Sequence, residues 1–225
     1  MELLKRVAAR FPTSFENVLR SLYYRQQIVR KVFNASEPEY EMLPELIKPG
    51  DWVIDVGANI GHYTVRFSEL VGPKGRVLSF EPIPTTFSFL TANVQILVNQ
   101  NVTLFNMAVS SNTNVVGMNV PICESGLSNY YQASISQNDP CQVRVLTVSL
   151  DSLDIRNRIS LVKIDVEGHE KFVIEGMRKL LHRYKPCLVI ETESAEVIND
   201  LRKYGYSLRK LPNSPNALLM SGLAL

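Results

Sequence analysis

Cysteine is scarce in this 225-residue chain, and long apolar runs are missing altogether. The three cysteines, Cys123, Cys141 and Cys187, have no Cys-x-x-Cys spacing, which excludes a zinc site and a disulfide framework. No apolar stretch approaches the roughly 20 residues that a helix needs to span a bilayer. Residues 1–10 contain four charged side chains where a secretory signal needs an apolar stretch. We therefore expect a cytoplasmic protein without a membrane span.

A strong net charge is also missing, because the chain carries 24 basic and 22 acidic side chains. The basic ones are concentrated in residues 1–34, which contain seven basic and two acidic side chains. We interpret this segment as a solvated helix face, in preference to a surface for an anionic partner or a lid on a ligand site. Residues 110–149 contain only Glu124, Asp139 and Arg144 as charged residues, whereas nucleic acid would require basic side chains there. A neutral, hydrogen-bonding surface for a hydroxylated small molecule is favoured instead, and nucleic acid is an unlikely partner.

The composition, 45% hydrophobic and 20% charged, is typical of one α/β domain, which we take to span residues 1–225. Within it, residues 1–48 form a predicted N-terminal helical extension. Residues 110–149 form a predicted β-hairpin insertion, with strands over 115–120 and 143–148.

The helix of the extension is predicted to begin with Thr13 and Glu16, which have capping-box spacing. We expect it to lie on the domain through an apolar stripe. The stripe comprises Phe15, Val18, Leu19, Leu22, Val29 and either Val32 or Phe33. Further along the chain, we expect a third strand over 102–109 and a short helix over 151–156.

Residues 51–61 combine an apolar run, typical of a strand buried on both faces, with a glycine turn that leads into a helix. Gly57 and Gly61 allow backbone to approach a nucleotide-like ligand closely. Asn59 stands where a dinucleotide fingerprint requires glycine, which disfavours a nicotinamide oxidoreductase. Asp55 repels a pyrophosphate but attracts an ammonium or sulfonium group.

The second strand, predicted over 76–80, ends at Glu81. An acid at this point of a βαβ unit is placed to accept hydrogen bonds from both ribose hydroxyls. The end of the third strand should lie beside the base of the nucleotide. Ala108 is therefore a candidate for contact with adenine.

A second polar stretch lies at residues 161–170, where another buried strand ends in ionisable groups and a glycine. Alternation along the strand places Lys163, Asp165 and Glu167 on one side, and His169 begins the next helix. Unpaired charges in a buried strand cost several kcal/mol, so structural packing alone does not account for them. We predict that these four groups form the reaction site at the carboxyl edge of the sheet.

Three segments together resemble the FkbM family of methyltransferases. They are Asp55-Val-Gly-Ala-Asn-Ile-Gly61, Glu81-Pro-x-Pro-x-x-Phe87 and Lys163-Ile-Asp-Val-Glu-Gly-His-Glu170. The resemblance covers roughly residues 45–205. It implies a class I methyltransferase fold, Rossmann-like, with a seven-stranded, mostly parallel sheet, helices on both faces and an antiparallel C-terminal hairpin.

The resemblance also implies S-adenosylmethionine as methyl donor, S-adenosylhomocysteine as product, and O-methylation of sugars, glycolipids or natural products. Asp55, Gly57, Asn59 and Gly61 would line the methionine and ribose part of the donor. Glu81 would bind the ribose hydroxyls, and Asp165 to Glu170 would form the reaction site.

For the proton that leaves the acceptor hydroxyl, His169 is the first choice of base and Asp165 the second, with Lys163 holding an acid ionised. A Mg²⁺ ion held by Asp165, Glu167 and Glu191 is possible but not favoured. A nucleic-acid methyltransferase, a nicotinamide oxidoreductase and a non-catalytic domain that binds the cofactor or a glycan stay open as alternatives. The acceptor and the oligomeric state are not determined by the sequence.

Overall fold

The computed structural model describes residues 13–121, 129, 132–136 and 141–222. Its helices are α1 (Thr13–Val29), α2 (Pro38–Leu46), α3 (His62–Val71), α4 (Pro84–Val94), α5 (Glu170–Glu175), α6 (Arg178–Tyr184) and α7 (Ala195–Lys203). Its strands are β1 (Trp52–Val56), β2 (Arg76–Phe80), β3 (Val102–Phe105), β4 (Ala108–Val109), β5 (Val115–Asn119), β6 (Ser134–Ser136), β7 (Val143–Val148), β8 (Ile159–Ile164), β9 (Cys187–Glu191), β10 (Tyr206–Lys210) and β11 (Asn216–Ser221).

The main sheet has seven strands in the order β3-β2-β1-β8-β9-β11-β10. All neighbours are parallel except β11, which runs antiparallel to both β9 and β10. Strand β1 lies inside the sheet between β2 and β8, and its side chains Val53, Ile54 and Val56 are at most 1% exposed. Full burial of such a side chain stabilises the fold by about 1.5–3 kcal/mol. The predicted sheet and its antiparallel C-terminal hairpin are confirmed.

Helices cover both faces of this sheet. On one face, Val53 and Val77 pack with Tyr63 and Phe67 of α3 and with Leu43 of α2. On the other face, the strands pack against residues of α5, α6 and α7. Because β1, β2, β8 and β9 are parallel, their carboxyl ends meet at one edge of the sheet. The residues that follow these strands are thereby brought together.

A second sheet, in the order β4-β7-β5-β6, stands beside this edge. The predicted strands near 115 and 143 pair antiparallel, as expected. The expected single strand over 102–109 is wrong: β3 stays in the main sheet, whereas β4 pairs with β7. The break lies at Asn106, whose side-chain amide donates to the carbonyl oxygens of Glu81 (2.9 Å) and Pro82 (3.0 Å). Cys123, Glu124 and Asp139 of the insertion lie outside the described residues, while Cys141 and Cys187 are free thiols.

Helix α1 does not pack through most of the stripe that the sequence suggested. Five members of the stripe are 46–71% exposed: Val18, Leu19, Leu22, Val29 and Val32. The contact face is formed by Tyr24 and Ile28, which pack with Phe33, the alternative last member of the stripe, against Phe89 of α4. The helix has two apolar sides, and only one of them meets the domain. The side chains of residues 13–16 lie outside the described part of the structure.

The polypeptide after β7 also departs from expectation. Residues 150–152 form one turn of 3₁₀ helix, not the start of a helix over 151–156. The Asp151 carboxylate accepts hydrogen bonds from the backbone N–H groups of Lys179 (2.8 Å) and Leu180 (2.9 Å). A residue far from α6 in the sequence therefore caps the N-terminus of that helix. No helix within the described ranges is long and apolar enough to cross a bilayer.

A buried carboxylate, Glu39, links helix α2 to the C-terminal hairpin. It lies in α2, and its oxygens accept hydrogen bonds from Tyr63 of α3 (3.1 Å) and from Ser214 (2.6 Å) and Asn216 of the C-terminal hairpin. Its side chain is fully buried. A buried charge costs several kcal/mol unless its hydrogen bonds are satisfied, so this junction holds the two segments together.

Candidate active site

A cavity of about 280 Å³ opens at the carboxyl edge of the main sheet. The main sheet contributes residues from the ends of β1, β2, β8 and β9, and the second sheet supplies a facing wall. Seven of the residues predicted to form the site line this cavity. They are Gly57, Asn59, Glu81, Ala108, Asp165, Glu167 and His169. The predicted cofactor residues and the predicted reaction site therefore share one cavity.

Gly57 is the tightest point of the glycine loop. Its φ angle is +79°, and a Cβ atom at this position would overlap the carbonyl oxygen of Asp165. The loop is held by N–H groups of Gly57 and Ala58, which donate to the carbonyl oxygen of Phe80 at 3.0 and 2.9 Å. Glycine is required here because the ends of β1 and β8 are in direct contact.

Glu81 is held in place by backbone donors. One of its oxygens accepts from the N–H of Asn59 and the other from the N–H of Ile83, both at 2.9 Å. Asn59 reaches this position with a φ of +49°. Burial raises the pKa of Glu81 to about 7, although the two backbone hydrogen bonds oppose the shift. The fixed carboxylate has remaining lone pairs for hydroxyl donors of a ligand.

Asp55, Gly61 and Lys163 support the cavity from behind and do not line it. Asp55 is fully buried and accepts a 2.6 Å hydrogen bond from Thr64, whose hydroxyl also meets Ser79 at 2.9 Å. Burial raises the pKa of Asp55, while Lys163 and Thr64 oppose the shift. The direct contact with a ligand that the sequence suggested for Asp55 is therefore not part of this geometry.

Lys163 and Asp165 form an ion pair of 2.8 Å at the end of β8. The lysine is 3% exposed and also lies over the ring of Tyr63, with its Nζ 4.5 Å from the centroid. Burial lowers the pKa of Lys163, but the carboxylates of Asp165 and Asp55 outweigh burial, so the pKa is raised. The lysine therefore stays cationic and orients Asp165 towards the cavity.

Glu167 does not continue the alternation of the strand, as the sequence suggested. Strand β8 ends at Ile164, and Glu167 is an exposed residue with a φ of +48°. Of the three ionisable residues, only Lys163 lies within the strand, so the expectation of two acids inside it is wrong. Desolvation, followed by the charge of Asp165, raises the pKa of Glu167. The turn places its carboxylate on the rim of the cavity.

His169 and Glu191 complete the polar end of the cavity. The Nε2 atom of His169 lies 2.9 Å from the hydroxyl of Ser110, and its ring stacks on Phe172 with centroids 4.7 Å apart. Burial lowers the pKa of His169. Desolvation, together with the charges of Asp165 and Glu167, raises the pKa of Glu191 to about 7. Two groups here are thus able to accept a proton at neutral pH.

The described part of the wall formed by the second sheet is apolar, whereas the sequence suggested a neutral hydrogen-bonding surface for the insertion. Its cavity residues Ala108, Met118, Ala133 and Ile135 belong to a small apolar cluster. An apolar wall opposite Glu81 suits the flat face of an aromatic base.

Sequence reasoning missed the cavity residue Glu37 and the His169 partner Ser110, and gave Glu191 only as a candidate metal ligand. Glu191 is the last residue of β9, and Glu81 directly follows β2. The same pattern, an acid at the end of a buried strand, could therefore have predicted Glu191. No pattern marked Glu37, which precedes α2. In the residues that the structure covers, no group of three or more His, Cys, Asp or Glu is arranged to hold a metal ion.

The strand order, with the single antiparallel strand β11 and a cavity at the carboxyl edge, defines a class I methyltransferase fold. The methyltransferase FkbM domain matches residues 55–208 of this chain. The chain therefore belongs to the FkbM methyltransferase family, and the resemblance drawn from its sequence is confirmed.

Individual proteins agree with this assignment. A hexuronic acid methyltransferase, AglP, from Haloferax volcanii is 29% identical over 180 residues, which are 77% of this chain and 66% of the relative. Methyltransferase 1 of Beauveria bassiana is 26% identical over 145 residues, 56% of this chain and 58% of the relative. The crystal structure of methyltransferase FkbM from Methylobacillus flagellatus has a TM-score of 0.55 at 19% identity and covers 82% of this chain and 50% of that one. This chain thus spans less than two thirds of each of these proteins.

Proposed function

We propose that this chain is an S-adenosylmethionine-dependent O-methyltransferase acting on a hydroxyl of a sugar, glycolipid or natural product. The observation that carries the proposal is the junction of Gly57 with Asp165. It places a glycine loop and a ribose-binding carboxylate, Glu81, in the same cavity as the cluster of ionisable groups. A cofactor held by the glycine loop and Glu81 would present its reactive end to the cluster of ionisable groups.

The cavity fits the cofactor by its donor and acceptor groups. Gly57 and Asn59 line the glycine loop, and Glu81 offers a fixed carboxylate to a ribose diol. Ala108 lies in the apolar wall, where an adenine ring would pack. Bound there, S-adenosylmethionine would supply an electrophilic methyl group on a sulfonium centre.

We assign proton removal from the acceptor hydroxyl to His169. Its imidazole is kept neutral by burial, and it lines the cavity beside Asp165. Because Nε2 meets Ser110, a tautomer with the proton on Nε2 leaves Nδ1 free to accept. Lys163 and Asp165 would align the acceptor, since alignment supplies much of the rate in an in-line displacement.

The sugar class of acceptor is supported by the archaeal relative, whose name assigns it hexuronic acids. The polar end of the cavity is rich in hydrogen-bond acceptors, which suits a polyhydroxylated substrate. We expect a small-molecule acceptor and no nucleic acid, because the described cavity wall has no basic side chain.

Calorimetric titration with S-adenosylmethionine, S-adenosylhomocysteine and NADH tests the cofactor. We expect micromolar binding of the two adenosyl compounds and none of NADH, and incubation with hydroxylated acceptors should then release S-adenosylhomocysteine. NADH binding without adenosyl binding would favour an oxidoreductase. Salt-sensitive RNA binding would favour a nucleic-acid methyltransferase, and cofactor binding without transfer to any acceptor would favour a binding domain.

The pH dependence of turnover tests the assignment of His169. At saturating cofactor, we expect kcat to be constant between pH 7 and 8 and to fall on the acid side with an apparent pKa below the usual 6.5 of histidine. The reason is that a lowered pKa keeps the imidazole neutral, and therefore active, until the pH drops below that value. His169→Ala should reduce kcat by roughly a hundredfold.

The alternative base gives a different profile. If Glu191 accepts the proton, kcat rises as the pH rises through about 7, because its carboxyl is protonated below that value. Glu191→Gln would abolish this rise of kcat with pH. Such a result would reassign the role from His169 to Glu191.

A further inference from the structure

The reaction end of the cavity carries an excess of negative charge. Four carboxylates line it: Glu37, Asp165, Glu167 and Glu191. None of the described lining residues is a lysine or an arginine. The nearest cation, Lys163, lies beneath the wall and is already paired with Asp165.

Glu37 adds a requirement for a hydrogen-bond donor. Its Oε2 atom is buried and has no hydrogen-bond partner. A buried carboxylate oxygen without a donor is unfavourable, and a ligand hydroxyl or ammonium in the cavity would satisfy it. Both Glu37 and its cavity neighbour Pro215 lie outside residues 55–208, the part that matches the family domain. The requirement therefore comes from residues outside the matched domain.

We propose that the acceptor is a polyhydroxylated compound that is uncharged or bears an amine near the methylated hydroxyl, and that the carboxylates exclude acceptors carrying an acid there. The proposal rests on the proposed methyltransferase function and specifies its substrate class. Like charges brought together in a partly desolvated site disfavour binding, whereas a hydroxyl or ammonium pairs with the carboxylates.

Three glycosides with the same 4-nitrophenyl group test selectivity: a hexoside, the matching 2-amino-2-deoxyhexoside and the matching hexuronide. We expect kcat/KM for the first two to exceed that of the hexuronide at least tenfold at low ionic strength, because screening is weakest there. The ratio should shrink as salt is added. A hexuronide methylated as well as the hexoside would overturn the proposal.

A binding measurement tests the same charge without turnover. Sinefungin carries a primary amine where S-adenosylmethionine carries its methyl group, whereas S-adenosylhomocysteine carries nothing there. We expect sinefungin to bind at least tenfold more tightly than S-adenosylhomocysteine. This preference should fall in Glu167→Gln and Glu37→Gln but persist in Glu45→Gln, a change to an exposed acid on α2 outside the cavity.

The binding outcomes separate the two proposals. Equal affinity of the two analogues for the unmodified protein would contradict the acidic selectivity while leaving the cofactor assignment intact. Failure of both analogues to bind would remove the methyltransferase function itself. The comparison of the two affinities tests the effect of the carboxylates even when none of the three glycosides is methylated.

Discussion

Replacing Gly57 by alanine is expected to abolish binding of S-adenosylhomocysteine and to lower the free energy of unfolding by more than about 3 kcal/mol. The added Cβ would overlap the carbonyl oxygen of Asp165, which is backbone and cannot rotate away. The φ of +79° adds strain for any residue with a side chain. The ends of β1 and β8 must separate to relieve the overlap, and the cavity would lose its shape. Urea unfolding and calorimetric titration measure the two effects.

Gly50→Ala is the matched control. Gly50 has a φ of +94°, but an added Cβ there would meet no atom within 4 Å. It should therefore lose only about 1 kcal/mol from backbone strain and bind the ligand normally. If Gly57→Ala were as mild as Gly50→Ala, the close contact between the two motifs would have no energetic role.

Asp165→Asn is expected to reduce kcat by roughly a hundredfold or more, with little change in affinity for S-adenosylhomocysteine. Asparagine keeps the shape of the side chain but loses the charge that pairs with Lys163 at 2.8 Å. The lysine would turn towards Asp55, and the acceptor would lose its alignment at the end of β8. We expect a stability loss of about 1–3 kcal/mol, because the Asp165 side chain is 35% exposed and its pair is only partly buried.

Asp154→Asn provides the control for this substitution. Asp154 also pairs with a basic residue, Arg156, but their side chains are 74% and 82% exposed. An ion pair in this setting contributes less than about 1 kcal/mol, so neither kcat nor stability should change noticeably. Single-turnover kinetics with saturating cofactor distinguish the two variants. A kcat for Asp165→Asn within tenfold of the unmodified protein would rule out the assigned role.

The strands that hold the site were predictable because their signals are local. Strands β2, β8 and β9 are short, largely apolar and mostly buried, and each is followed by, or ends in, an acidic residue. In a parallel sheet these ends must meet at one edge, so Glu81 and Asp165 could be placed together before any coordinates existed. The glycine loop was identifiable for the same reason.

The errors concern features set by distant neighbours. Residues 102–109 read as one strand, but Asn106 bonds to the polypeptide after β2 and the remainder pairs with β7. Alternation placed Glu167 wrongly because β8 ends three residues before it. Helix α1 has apolar residues on two sides, and the sequence does not reveal which side meets α4. The role of Glu39 depends on contacts with the C-terminal hairpin.

The junction at Glu39 constrains how acceptor specificity can change during evolution or in the laboratory. Residues 37–40 and 214–216 each contribute to the cavity and are joined through one buried carboxylate, although they are about 175 residues apart. A chimera that takes one segment from another family member and keeps the other would break the hydrogen bonds between Glu39 and the pair Ser214 and Asn216. The two segments should therefore be inherited as a pair, and substitutions in one should be accompanied by compensating substitutions in the other.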